Sequence, residues 1–334
     1  MRPIAVLGAG SWGTALAIHL GRIGHSVRLW SRAPALAETM RSKRFNLNYL
    51  PDIKLPPTVE PTSLLTSAIE NVDFVVVAVP SHGVRSVIAE VVSLIDHSTM
   101  VVSATKGLER GTLLRMSEVI IQELGNRQPV AVLSGPSFAA EVARELPTAV
   151  CVASTNSEIV HEVQTEFKAR YFRLYASDDV PGVEIGGAIK NVIAIAAGVN
   201  ETLELGQNAL AALITRGLAE ITRLACAVGG RRETLSGLSG LGDLVLTCTG
   251  SLSRNRQLGV ELGLGRPLEE ILGDMKMVAE GIRTTDAALA LGVRHGVELP
   301  IAAKMSDVLS NRKDPHVAVE ELMLRPQRPE AEPD

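Results

Sequence analysis

Aromatic residues are scarce in this chain: five Phe, three Tyr and two Trp make up 3% of 334 residues. Its cores must therefore rest on Ala, Val, Leu and Ile, and a hydrophobic fraction of 46% is enough to build them. Cysteine is scarcer still. Cys151, Cys226 and Cys248 are widely spaced, which excludes a disulfide framework and a thiolate metal cluster and suits a reducing, cytoplasmic setting. No block of like charge exists: 33 Lys and Arg against 37 Asp and Glu leave a net charge of −4. Without a basic stripe, nucleic acid is not an expected partner. The seven histidines are scattered, with no metal pair and no nucleophile partner, so neither a metal site nor a Ser-His-Asp hydrolase is expected. No apolar run is expected to reach the roughly 20 residues of a membrane span. The longest weakly charged apolar stretch, 192–199, is expected as buried helix, and the chain is expected not to cross a membrane. The first strand is expected to start at residue 3 or 4, which leaves no room for a secretory leader.

What is present begins with glycine. The apolar run Ile4-Ala5-Val6-Leu7 leads into Gly8-Ala9-Gly10-Ser11-Trp12-Gly13-Thr14, and Ala15-Leu16-Ala17-Ile18-His19-Leu20 follows. This order reads as a buried strand, a tight turn and a helix starting near Ser11. Gly8 permits the turn, Gly10 lets a pyrophosphate approach the backbone, and Gly13 lets helix and strand pack closely. The first N–H groups of such a helix face the phosphates, so the segment predicts dinucleotide binding. The next strand, 26–30, is followed by Ser31-Arg32-Ala33 rather than by an acid. A carboxylate would hold a ribose 2′-OH and repel a 2′-phosphate, whereas a guanidinium holds the phosphate bidentately. The cofactor expected is NADP(H), with NAD(H) also open. Arg32 as a solvated loop residue is the alternative.

Length allows about two domains. Strands are expected at 3–7, 26–30, 73–79, 99–104, 130–133, 148–153 and 171–175, alternating with helices. Phe74-Val75-Val76-Val77-Ala78-Val79 is apolar on both faces, as a central parallel strand must be. The fold class expected is α/β: an N-terminal Rossmann-like doubly wound sheet followed by an all-α C-terminal domain. Long helices are expected at 207–228 and 280–295. The expected division is 1–178 for the dinucleotide and 179–324 for substrate and catalysis, with a disordered proline-rich tail at 325–334.

A dinucleotide fold does not name a reaction. Lys190 lies in Gly186-Gly187-Ala188-Ile189-Lys190-Asn191-Val192-Ile193, where almost every neighbour is small or apolar. Burial there lowers a lysine pKa and fits it for proton transfer to an alcohol; a snorkelling lysine or a salt bridge with Glu184 is the alternative. Asp243, in Gly240-Leu241-Gly242-Asp243-Leu244, is either a partner for substrate and base or a helix cap. Ser253-Arg254-Asn255 at a helix start is either an anion site or a surface helix end. Lys106 in Ser103-Ala104-Thr105-Lys106-Gly107 follows a strand's carboxyl end, where open α/β sheets bind ligands, or is a solvated loop lysine. Ser134-Gly135-Pro136-Ser137-Phe138-Ala139 presents Gly135 and Ser137 from a rigid turn, or merely connects strand to helix. His82 borders the cofactor or is an ordinary loop residue.

Taken together, these segments resemble the bacterial-type NAD(P)-dependent glycerol-3-phosphate dehydrogenase family from Gly8 to about Leu324. The glycine turn is common to many dehydrogenases; the combination of the segments 134–139, 186–191, 240–244 and 253–255 is far more specific. The resemblance implies a homodimer that exchanges hydride between NADP(H) and C2 of dihydroxyacetone phosphate or sn-glycerol 3-phosphate, for glycerophospholipid synthesis. It implies Lys190 as general acid/base, with Asp243 fixing the hydroxyl end of the substrate and able to raise the lysine's pKa. It further implies a substrate site of Lys106, Gly135, Ser137, Lys190, Asp243, Ser253, Arg254 and Asn255. Nucleotide contacts are implied for Ser11, Trp12, Arg32, Lys106, Ala139, Arg254, Val278 and Glu280, besides Gly8, Gly10 and Gly13. Trp12 stands where the family commonly has a smaller aromatic. Two other readings remain on the residues alone. One is a related NADP-dependent hydroxy-acid dehydrogenase, whose carboxylate Arg254 would serve equally well. The other is a non-catalytic dinucleotide sensor, which needs neither Lys190 nor Asp243.

Overall fold

A computed structural model describes residues 1–275, 280–327, 329 and 330. Among the described residues ten strands form: β1 (Pro3–Leu7), β2 (Ser26–Trp30), β3 (Phe45–Asn46), β4 (Leu50–Lys54), β5 (Val59–Thr62), β6 (Phe74–Val77), β7 (Met100–Ser103), β8 (Val130–Ser134), β9 (Thr148–Ala153) and β10 (Phe172–Ser177). Eight make one sheet in the order β10-β9-β8-β7-β6-β1-β2-β5, and β3 with β4 forms a separate hairpin. Successive side chains of a strand point to opposite faces, and here both faces are apolar. Ile4 and Val6 of β1 enter one core with Phe74 and Val76 of β6. Ala5 and Leu7 enter the other with Val75 and Val77. This is the doubly wound sheet expected from the sequence.

Three details differ from expectation. β8 and β9 pair antiparallel, in a sheet whose other pairings are parallel; their connection carries only the short helix Ala139–Ala143, and antiparallel neighbours tolerate such a short return. The edge strand β5 was not anticipated because Pro61 interrupts it; at an edge, the missing donor costs the sheet nothing. The β3–β4 hairpin was hidden in the same way by Pro51 and by charged Asp52 and Lys54.

After β10 the described chain is helical. Asp179 caps the helix Val180–Thr202 by accepting from Gly182 N–H at 2.9 Å, and it also accepts from Arg231 N–H at 2.9 Å. From Gly182 to Asn200 every residue of this helix is buried. The expectation that no apolar run has the length of a membrane span is corrected here: by length and composition this helix could cross one, yet its apolar window is wholly buried inside the protein. Small residues on both sides of Lys190 extend the apolar segment well beyond 192–199.

Two glycines lock this core helix to the helix Arg254–Gly263. A Cβ on Gly198 would sit 1.9 Å from the Arg256 carbonyl oxygen, and one on Gly259 would sit 1.9 Å from that of Ile195. The two backbones are thus in direct contact, which brings the Ser253–Asn255 segment against Asn191. The long helices Gly206–Ala227 and Glu280–His295 lie where periodicity placed them. The tail expectation falls partly on Arg328 and residues 331–334, outside the described residues.

Candidate active site

Lys190 and Asp243 meet. Lys190 Nζ donates to Asp243 Oδ1 and, at 2.8 Å, to Thr247 Oγ1. Thr247 Oγ1 in turn donates to the Asp243 backbone carbonyl at 2.6 Å. Lys106 Nζ donates to the second carboxylate oxygen of Asp243 at 2.7 Å and to the Gly135 carbonyl at 3.0 Å. The Asp243 side chain is 1% exposed, Lys190 8% and Lys106 20%. One buried carboxylate therefore joins two ammonium groups, and each lysine keeps one of its three donors uncommitted among the described residues.

Electrostatics follow from this packing. Burial pulls the Lys190 pKa down to about 8; Asp243 opposes the fall and Lys106 adds to it. Such a group holds a proton at neutral pH and releases it only slightly above, which suits an exchangeable acid and base. Glu184, the alternative partner, is engaged elsewhere: it accepts from Arg115 at 2.8 Å and from Ser117 N–H at 2.8 Å. The helix-cap reading of Asp243 also fails, because it is the first residue of the helix Asp243–Thr249, preceded by Gly242, and its carboxylate turns to the lysines.

Gly135 has φ +129°, and a Cβ there would press within 3.1 Å of Val150 Cα, so this turn requires glycine. Its carbonyl accepts from Ser137 Oγ at 3.0 Å as well as from Lys106. Ser253 caps the helix Arg254–Gly263 by accepting from Arg256 N–H at 3.2 Å. Asn255 Nδ2 donates to Asn191 Oδ1 at 3.0 Å, while its oxygen accepts from Gly281 N–H at 3.0 Å. Surrounding protein lowers the Arg254 pKa by desolvation, against a counteracting Glu280. Arg254 has no hydrogen-bond or ion-pair partner among the described residues, so its charge is available to an anion. The segment is both a capped helix start and a group of donors.

The residues at the first turn fit a dinucleotide. Gly8 has φ +114°, and a Cβ on Gly13 would lie 1.8 Å from the Gly8 carbonyl oxygen. Nothing approaches within 4 Å of a Cβ at Gly10, which leaves the space a pyrophosphate needs. The helix Ser11–Arg22 has no side-chain cap. Ser11 Oγ donates to the Tyr49 carbonyl at 2.8 Å. Trp12 Nε1 is buried with no hydrogen-bond partner among the described residues. Arg32 is exposed just past β2, Ala139 opens the helix Ala139–Ala143, and Glu280 opens the helix Glu280–His295, where it accepts from Ser81 Oγ at 2.9 Å. His82 is exposed beside Ser81. Val278 lies outside the described residues.

Two participants escaped the sequence reading. Thr247 is four residues past Asp243, on the same helical face, and that spacing was a legible signal. Asn191 orients Asn255 across two helices, and nothing local announces it.

Two family models cover most of the chain: NAD-dependent glycerol-3-phosphate dehydrogenase N-terminus over residues 3–160 and C-terminus over 179–320. The chain is 51% identical over 330 residues to glycerol-3-phosphate dehydrogenase [NAD(P)+] of Koribacter versatilis, covering 98% of each chain. It is 52% identical over 338 residues to the protein of the same name from Acidobacterium capsulatum, covering 99% of this chain and 100% of that one. The crystal structure of glycerol-3-phosphate dehydrogenase from Coxiella burnetii superposes with a TM-score of 0.94 at 45% identity, covering 97% of this chain and 99% of the other.

Proposed function

The chain belongs to the NAD-dependent glycerol-3-phosphate dehydrogenase family, and we infer that it is an NAD(P)-dependent oxidoreductase that reversibly reduces dihydroxyacetone phosphate to sn-glycerol 3-phosphate. In this reading residues 1–178 hold the dinucleotide at the Gly8–Gly13 turn, with Arg32 at the ribose 2′-phosphate. Residues 179–324 carry the substrate chemistry. The observation that carries the reading is the buried Lys190, paired with Asp243 and Thr247 and poised near pH 8.

When bound, the nicotinamide supplies the hydride for C2. Lys190, as ammonium, offers its uncommitted N–H to the ketone oxygen, stabilises the negative charge growing there and delivers the proton. Asp243 keeps Lys190 protonated and aimed. Lys106, drawn in by Asp243 and Gly135, adds a second positive charge beside the reacting oxygen. Arg254 and Asn255 hold the phosphate and so fix the distance from anion to reacting carbon. In the oxidative direction Lys190, as amine, takes the hydroxyl proton back. The product is a glycerophospholipid backbone, and the family resemblance supports a homodimer working in the cytoplasm.

The test is Lys190→Ala. The variant is expected to lose about a thousandfold or more in turnover, the scale of a lost general acid, while binding NADPH as the wild type does. Near-normal turnover removes Lys190 from the mechanism.

A further inference from the structure

β6 and β2 flank β1 in the sheet, so the residues beyond their carboxyl ends straddle the glycine turn. His82 stands beyond β6 and Arg32 beyond β2. A second guanidinium, besides that of Arg32, reaches this place from the helical half. Ser81 Oγ, bonded to Glu280 Oε2 at 2.9 Å, docks the first turn of the helix Glu280–His295 against the Ser81–Gly83 turn. Arg283 follows Glu280 by three positions and so shares its helical face. Desolvation lowers the His82 pKa, Arg283 and Arg32 lower it further, and Glu280 raises it, so both arginine charges act at one imidazole. Arg32 and Arg283 are exposed, and neither has an ion-pair partner within 4 Å among the described residues. The edge of the dinucleotide site thus carries two uncompensated guanidinium groups on opposite sides, with Glu280 set back on Ser81.

NADP(H) differs from NAD(H) by one phosphate on the ribose, close to a dianion at neutral pH. A lone exposed arginine discriminates weakly, because solvent and salt screen its charge. Two guanidinium forks closing on one phosphate from two directions discriminate far better. We propose that Arg283 is a second specificity-determining residue of this enzyme, which clamps the 2′-phosphate of NADP(H) from the helical half while Arg32 holds it from the sheet. The proposal rests on the reading of Arg32 given above. It ties the cofactor's distinguishing charge to the half of the chain that carries Lys190.

The experiment is equilibrium binding of NADPH and NADH, followed by nicotinamide fluorescence, to the wild type, Arg32→Ala, Arg283→Ala and Arg283→Lys. Adenosine 2′,5′-bisphosphate and 5′-AMP serve as competitors. Arg283→Ala is expected to weaken NADPH and the bisphosphate about tenfold, the loss of one charge-assisted contact. NADH and 5′-AMP should stay within about twofold of wild type, the change expected at sites without a 2′-phosphate. Arg283→Lys should recover part of the loss. NADH binding itself reports that the variant is folded. If Arg283→Ala weakens NADPH and NADH alike, or neither, the proposal is overturned. If Arg283→Ala shifts the ratio and Arg32→Ala does not, the Arg283 assignment stands and that of Arg32 falls.

Discussion

Replacing Asp243 by Asn keeps the shape of the side chain and removes its charge, which makes it the sharpest probe of the lysine centre. Two unit charges about 4 Å apart interact by about 4 kcal/mol at an effective dielectric constant of about 20. Allowing for relaxation, loss of the Asp243 charge costs the Lys190 ammonium about 3 kcal/mol, so the proton leaves about a hundredfold more readily. With a pKa of about 8, roughly three-quarters of wild-type Lys190 is protonated at about pH 7.5; in the variant the fraction is about 3%. Turnover in the reductive direction then falls about 25-fold from protonation alone, before any loss of aim. The assay is kcat against pH with saturating NADPH and dihydroxyacetone phosphate. Wild-type activity should decline above about pH 8, and in Asp243→Asn that decline should move to near pH 6. NADPH binding should be unchanged. A variant that is slower at every pH, with its decline still near pH 8, would refute the reasoning. Asp243 would then position Lys190 without setting its charge.

Two predictions concern stability. Gly198→Ala places a methyl group against the Arg256 carbonyl, which the locked backbones cannot relieve, so unfolding in urea should show a loss of about 3 kcal/mol or more; an unchanged midpoint would mean that the two helices can part freely. Glu220, buried on the helix Gly206–Ala227, accepts from Ile301 N–H at 2.7 Å, and burial pushes its pKa up to about 7 from an ordinary 4.5. Between those values the native state binds the proton more tightly than the unfolded chain, so stability falls as pH rises through that window and levels off above about 7. Glu220→Gln has no such proton, and its thermal midpoint should decline less between about pH 5 and 8; parallel curves for the two proteins contradict this.

Much of this was legible in the sequence because the chemistry is local there. Gly8, Gly10 and Gly13 have no role but backbone proximity, and the structure leaves open space only at Gly10. The small residues around Lys190 announced a buried lysine, and burial is the first cause of its lowered pKa. Pairing over distance was not legible. Lys106 reaches Asp243 across 137 positions, and Asn191 reaches Asn255 across 64; neither spacing carries a signal until helices are placed. Edge strands that contain proline, such as β5, fail for a different reason: a rule that excludes central strands says little about edges.

The central claim is tested most directly by mixing the purified protein with NADPH and dihydroxyacetone phosphate and following nicotinamide absorbance, with NADH in parallel and the product identified. The account predicts rapid loss of absorbance with NADPH and stoichiometric formation of sn-glycerol 3-phosphate. No loss with either nucleotide, from a protein that binds NADPH, would contradict it and withdraw the roles assigned to Lys190, Asp243 and Arg254.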